Sequence, residues 1–151
     1  MPCLSSTFDP AVGPVVHVGI APAATIKAGA EESTPIVTYT ALIDTGADIT
    51  CVSAKVASER GLRPSGKRRM GGSTGTGDVN TYLIDIGFPF GKVPTAGAPP
   101  SAIQAFILQN VQVMEYVGAH PKFNVLIGRD IICQGLFSMS GWDKRFIICL
   151  G

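Results

Sequence analysis

Glycine and proline constrain this chain more than any other feature. Eighteen of one and eleven of the other are spread through its 151 residues. Gly weakens any regular element it interrupts, and Pro removes a backbone donor. The runs left between them are short, and many are β-branched or aromatic, so they read as strands, with no long helix. Pro14 to Ile20 and Pro35 to Ile43 suit a pleated, half-buried surface. Ala21 to Ser33 reads as the hairpin connection between them. Ser53 to Gly61 opens on an N-capping Ser and ends on a Gly suited to a left-handed cap, which predicts one short helix. A long hairpin is expected from the basic stretch Lys67-Arg68-Arg69, through Gly71 to Gly77, to the alternating run Tyr82 to Ile86. Phe88 to Ser101, with four prolines, predicts an extended surface loop that cannot join a central ladder. Strand composition resumes over Ala102 to Leu108, Val111 to Tyr116 and Phe123 to Ile127. A helical turn follows over Ile131 to Gln134. Leu136 to Ser140 and Arg145 to Leu150 form a last hairpin, with Trp142 in its turn expected to cover the core edge.

Hydrophobic residues are 46% of the chain and charged residues 15%, enough apolar matter for one packed core. Twelve Lys and Arg against eleven Asp and Glu leave a net charge of +1, which gives no overall attraction for nucleic acid. The cluster Arg60, Arg63, Lys67, Arg68 and Arg69 lacks interleaved aromatics and reads as a solvated helix end and hairpin base. Val93 to Met114 carries no charge, but its prolines, glutamines and asparagine argue against a membrane helix. The N-terminus has neither the basic nor the apolar region of a secretory signal, so a cytoplasmic location is expected. Cys3, Cys51, Cys133 and Cys149 are widely spaced and form no C-x-x-C pair; they fit reduced, buried thiols, with Cys51 to Cys133 the one contact considered. His17 and His120 stand alone, so neither a metal nor any other cofactor is expected.

The segment that carries chemistry is Ala41-Leu42-Ile43-Asp44-Thr45-Gly46-Ala47-Asp48-Ile49-Thr50-Cys51-Val52-Ser53. An apolar strand delivers a carboxylate onto a tight Gly turn, and the chain then returns apolar. Such a turn holds Asp44 at a strand end with backbone N–H groups beside it, the preorganisation a catalytic acid or base needs. Taken alone, Asp-Thr-Gly also fits an ordinary Asx turn. A second apolar strand, Val125-Leu126-Ile127, runs into Gly128-Arg129-Asp130-Ile131-Ile132 about 80 residues later. On its own it would be structural, with Asp130 capping a helical turn.

Together, the Asp44-Thr45-Gly46-Ala47-Asp48 loop and the Gly128-Arg129-Asp130 segment, in that order and with a Gly-rich hairpin between them, resemble the retropepsin-like aspartic proteases. The resemblance covers residues 14–151 as one domain and leaves residues 1–13 as an N-terminal arm. It implies an all-β fold, a closed barrel or sandwich with one or two short helices and a flap hairpin. Asp44, Thr45 and Gly46 match the catalytic motif. Ala47, Asp48, Gly72, Ser73 and Thr74 match substrate-contacting positions of the floor and flap. Gly128, Arg129 and Asp130 match the supporting segment, with Arg129 expected to form a buried or half-buried pair with Asp48. The flap tip is more polar here than is usual in the family. As a phosphate cradle the loop fails, because neither Lys-Ser nor Lys-Thr follows it.

The chemistry of that family needs two aspartates, and Asp44 alone stands in an Asp-Thr-Gly context. The second carboxylate is therefore expected from Asp44 of another copy, in a two-fold homodimer that cleaves peptide or protein substrates. The family joins its dimer partly through terminal strands, and Arg145 to Leu150 is the segment expected to serve. Two rival readings remain: a non-catalytic binding or dimerisation module on the same fold, and a metal-dependent hydrolase using Asp44, Asp48 and Asp130.

Overall fold

The computed structural model describes residues 1–25, 37–72, 75–90 and 105–151. Among these residues, ten strands and two short helices follow in the order β1 (Cys3–Thr7), β2 (Val15–Pro22), β3 (Thr38–Ile43), β4 (Cys51–Ser53), α1 (Ala54–Glu59), β5 (Gly66–Gly72), β6 (Gly75–Pro89), β7 (Ala105–Tyr116), β8 (Val125–Ile127), α2 (Arg129–Ile132), β9 (Gly135–Ser140) and β10 (Arg145–Leu150). Seven strands form one sheet in the order β2-β3-β8-β4-β7-β6-β5. A further pairing of β2 with β6 closes six of them into a barrel. The all-β architecture read from the sequence is the one the chain adopts.

The barrel is filled by side chains that alternate inward, as period-2 strands require. Val18, Ile20, Ala41, Ile84, Ile86, Val113, Val125 and Ile127 are all fully buried. All of them but Ala41 are β-branched, which explains why these short runs become strands rather than loops. The helix α1 is bounded as its sequence predicts. The Ser53 hydroxyl accepts a bond from Val56 N at 3.3 Å. Gly61 takes φ +61°, Gly61 N donates to Ser58 O, and Leu62 N donates to Ala57 O, the paired bonds that satisfy a helix C-terminus.

Three expectations need correction here. Pro89 lies at the end of β6, opposite Ala105, and Phe88 and Phe90 are buried in the core. Proline is tolerated there because the ladder ends at that point; residues 91–101 of the expected loop lie outside the described residues. Residues 102–104 of the first run expected after it lie outside the described residues, and from Ala105 the two runs are a single strand, β7, with an irregularity facing Ile84 to Ile86. Asn110 turns there at φ +54°, a conformation Asn tolerates, and its N–H donates to Asp85 Oδ1 at 3.0 Å. Trp142 does not cover the core; it is 97% exposed in the turn between β9 and β10.

The chain ends form a second, three-stranded sheet in the order β1-β10-β9. Both edges of β10 are therefore occupied within the chain, so Arg145 to Leu150 cannot add to a partner's sheet without displacing β1 or β9. The register sets Cys3 opposite Cys149 with their Cα atoms 4.0 Å apart, and the two form a disulfide. This overturns the expectation of four reduced thiols. A separation of 146 residues hides a neighbour that only strand pairing reveals. Such a bond requires oxidising conditions to form. Cys51 is buried and Cys133 exposed, and neither is bonded to the other. Among the described residues, no helix is long and apolar enough to cross a membrane.

Candidate active site

The site begins where β3 ends. This strand is held from both sides, with Ala41, Leu42 and Ile43 paired in parallel with Val125, Leu126 and Ile127 of β8, and Val15 of β2 opposite Leu42. Ile43 N donates to Pro14 O, and Asp44 N to Ile127 O, both at 2.9 Å. The next residue has no strand to continue into. The chain turns, Gly46 N donates to Asp44 Oδ1 at 2.9 Å, and Ala47 N donates to Asp44 O at 3.2 Å. Asp44 is half-buried, while Thr45 and Gly46 are exposed. A side chain at position 46 would bring its Cβ to 3.1 Å from Asp44 Oδ1, closer than ordinary packing. Glycine there keeps the carboxylate free to take the backbone bond.

What stiffens the turn is a cross-link that the sequence reading did not contain. Thr50 is fully buried. Its N–H donates to both carboxylate oxygens of Asp130 at 3.0 Å, and its hydroxyl donates to Asp130 Oδ1 at 2.8 Å. The same hydroxyl accepts from Gly128 N at 3.0 Å. Asp130 also accepts from Ile131 N, but α2 has Gly128 at its N-cap with no side-chain cap bond. Asp130 thus serves less as a local cap than as a clamp on a loop 80 residues earlier. Arg129 N donates to Ala47 O at 2.9 Å and Asp130 N to Asp48 O at 3.2 Å, so the two segments are also sewn together by backbone. A Cβ at Gly128 would fall 2.6 Å from the carbonyl carbon of Ile49 and 2.8 Å from Thr50 N, which excludes any other residue without moving the loop. The signal that could have found this clamp is a Thr inside an otherwise apolar strand start, which needs a partner once buried.

The Asp48–Arg129 pair forms, but not in the expected setting. Their side chains are 77% and 52% exposed. An ion pair so open to water contributes at most about 1 kcal/mol. Loop rigidity therefore comes from the Asp130–Thr50 bonds.

The strands β5 and β6 form the expected hairpin, with register running from Gly66 opposite Thr81 to Gly72 opposite Gly75. Gly72 thus sits at the end of the ladder. Ser73 and Thr74, expected at the tip, lie outside the described residues. The hairpin packs toward β4 and β7 through Val79, which forms a small apolar cluster with Cys51 and Met114 against which Ile49 and Met70 pack. Asp44, Asp48 and Asp130 do not converge as a metal site; among the described residues no group of three His, Cys, Asp or Glu is placed to hold an ion.

Cys51 reports on this environment. Burial, followed by the nearby Asp130 and Asp44 carboxylates, pushes its thiol up to about 11. Alkylation needs thiolate. At pH 8 iodoacetamide should therefore modify Cys133 and spare Cys51 in the native protein, with both labelled after denaturation, as read by peptide mass spectrometry. The contribution of the raised folded value to stability is fully present below the ordinary 9.0 and is lost as pH rises toward about 11, so stability should decline through that window. Burial raises Tyr39, Tyr82 and Tyr116 in the same direction.

A family model described as aspartyl protease matches residues 24–131, which include both the Asp44 turn and the Gly128-Arg129-Asp130 segment. No curated protein sequence matches the chain. Among solved structures, the crystal structure of a retropepsin-like aspartic protease from Rickettsia conorii is similar with a TM-score of 0.57. The likeness covers 97% of this chain and 89% of that one at 10% identity, and at that identity it speaks for the fold. The family model spans well over half of the sequence, and the closed barrel agrees with it: the chain belongs to the aspartyl protease family, on a retropepsin-like fold.

Proposed function

We propose that the protein is an aspartic endopeptidase that works as a homodimer, with Asp44 of each copy forming the catalytic pair. The observation that carries this reading is the setting of Asp44. Its carboxylate stands half-open at a strand end, held by one backbone N–H, on a turn pinned from below. Such a carboxylate is oriented yet not consumed by an ion pair, as a proton-transfer group must be.

Two carboxylates brought together cannot both carry charge without strong repulsion, so the pair retains one proton, as is established for aspartic proteases as a class. The charged Asp44 takes a proton from a water molecule whose oxygen attacks the scissile carbonyl carbon. The protonated Asp44 of the second copy donates to the carbonyl oxygen, giving a neutral tetrahedral diol. Transfer of a proton to the amide nitrogen then breaks the C–N bond and releases a carboxylic acid and an amine. No covalent enzyme intermediate is needed. Thr45 and Gly46 support the pair, and Gly128, Arg129 and Asp130 hold the loop that carries it. Ala47, Asp48, Gly72, Ser73 and Thr74 contact an extended substrate bound as an added strand.

The terminal sheet supports assembly through β1 or β9, whose outer edges remain unpaired among the described residues. Both strands lack charged residues and proline, the usual guards of a free edge. Activity should therefore depend on assembly. Cleavage of a peptide pool at mildly acidic pH, blocked by a hydroxyl-containing transition-state mimic, should lose specific activity on dilution in step with the dimer fraction seen by light scattering. A specific activity that stays constant while the protein dissociates to monomer would refute the shared site.

A further inference from the structure

We propose that Arg68 is a specificity residue that selects an acidic side chain in the substrate, a few residues away from the scissile bond. The proposal rests on the protease reading above and adds a substrate class to it. Directly opposed residues of an antiparallel pair share a face, and residues two apart on a strand share it too. Arg68 lies opposite Val79 and Met70 opposite Gly77, so Arg68, Met70, Gly77 and Val79 occupy one face of the β5–β6 hairpin. Val79 and Met70 pack against Cys51 and Ile49. Cys51 lies near enough to Asp44 for that carboxylate to raise its thiol. The face that carries Arg68 is thus the one turned toward the floor that bears Asp44.

The neighbouring cations do not share this placement. Lys67 lies opposite Asn80 and Arg69 opposite Asp78, on the other face of the hairpin. Arg69 therefore has a carboxylate across the ladder, whereas Arg68 faces the side chain of a valine. Among the described residues Arg68 is in no ion pair, and it is exposed. A guanidinium on the hairpin face that also carries Met70 and Val79 keeps its five donors available for a carboxylate that a ligand brings. At about 3.4 Å per residue it stands roughly 14 Å back from Gly72 along the strand, which places the selected residue away from the cleavage point.

The test is a cleavage profile of the wild-type protein on a diverse peptide library, read by mass spectrometry, followed by kinetics on a matched pair of peptides with Glu or Gln at the enriched position. Glu should be preferred about tenfold in kcat/KM. Arg68→Gln should bring that ratio to near one, and Arg68→Glu should invert it, while Arg69→Gln on the outer face leaves it unchanged. A wild-type profile without acidic enrichment, or a Glu preference that survives Arg68→Gln, overturns the assignment but leaves the protease standing. No cleavage of any peptide by the wild type at any concentration overturns the protease reading and this one with it.

Discussion

Asp44→Asn should abolish peptide cleavage, lowering kcat/KM by about three to four orders of magnitude, while leaving the fold and the dimer unchanged. Asparagine keeps the size of the side chain and an oxygen that can still accept from Gly46 N. What it loses is the ability to take a proton from water. On the proposed shared site, which takes one copy of residue 44 from each of two chains, the variant should also poison the wild type. Mixing wild type with a large excess of Asp44→Asn protein should drive activity toward zero as mixed dimers form. Activity that merely persists in proportion to the wild type present would show that each chain carries a complete site. Comparison of circular dichroism and sedimentation for the two proteins separates lost chemistry from lost structure.

Asp130→Ala carries the largest expected effect on stability. The carboxylate accepts three bonds from Thr50, whose N–H and hydroxyl are buried. Bonds to a charged acceptor each contribute about 1.5–3 kcal/mol, and stranded buried donors add their own cost. A loss of about 4 kcal/mol follows, equivalent to a fall of roughly 10 °C in Tm for a chain of this size. Urea titration monitored at Trp142 is a poor probe, since that side chain is already exposed; far-ultraviolet circular dichroism serves instead. Arg129→Ala, by contrast, should cost under about 1 kcal/mol because its pair with Asp48 is solvated. Equal losses for the two variants would mean that the surface pair, and not the buried clamp, holds the loop.

The sequence made the elements legible wherever a local rule applied. The cap of α1 lay in Ser53 and Gly61, residues whose chemistry acts within one turn of where they sit. The β9–β10 hairpin and the hairpin of β5 and β6 lay in alternating runs around Gly-rich turns. The fusion of two expected strands into β7 was not legible, because a single residue in the left-handed region, Asn110, bends a strand without ending it. Nor was the entry of Pro89 into β6, which depends on where the ladder happens to stop.

The candidate site divides in the same way. Asp44, its Gly turn and the Gly128-Arg129-Asp130 segment stood out because each is a contiguous motif with a chemical reason for its residues. Three relations did not: that Thr50 and Asp130 share the buried bonds while Asp48 and Arg129 meet in water, that Cys3 lies across from Cys149, and that β10 is enclosed on both sides. Local composition determined which segments pleat, which turn, and which carboxylate sits at the end of a strand. Tertiary structure alone decided which distant residues face each other. Buried side-chain hydrogen bonds join positions 80 residues apart and strand pairing joins positions 146 apart, and burial then sets the strength of each contact by how much water it excludes.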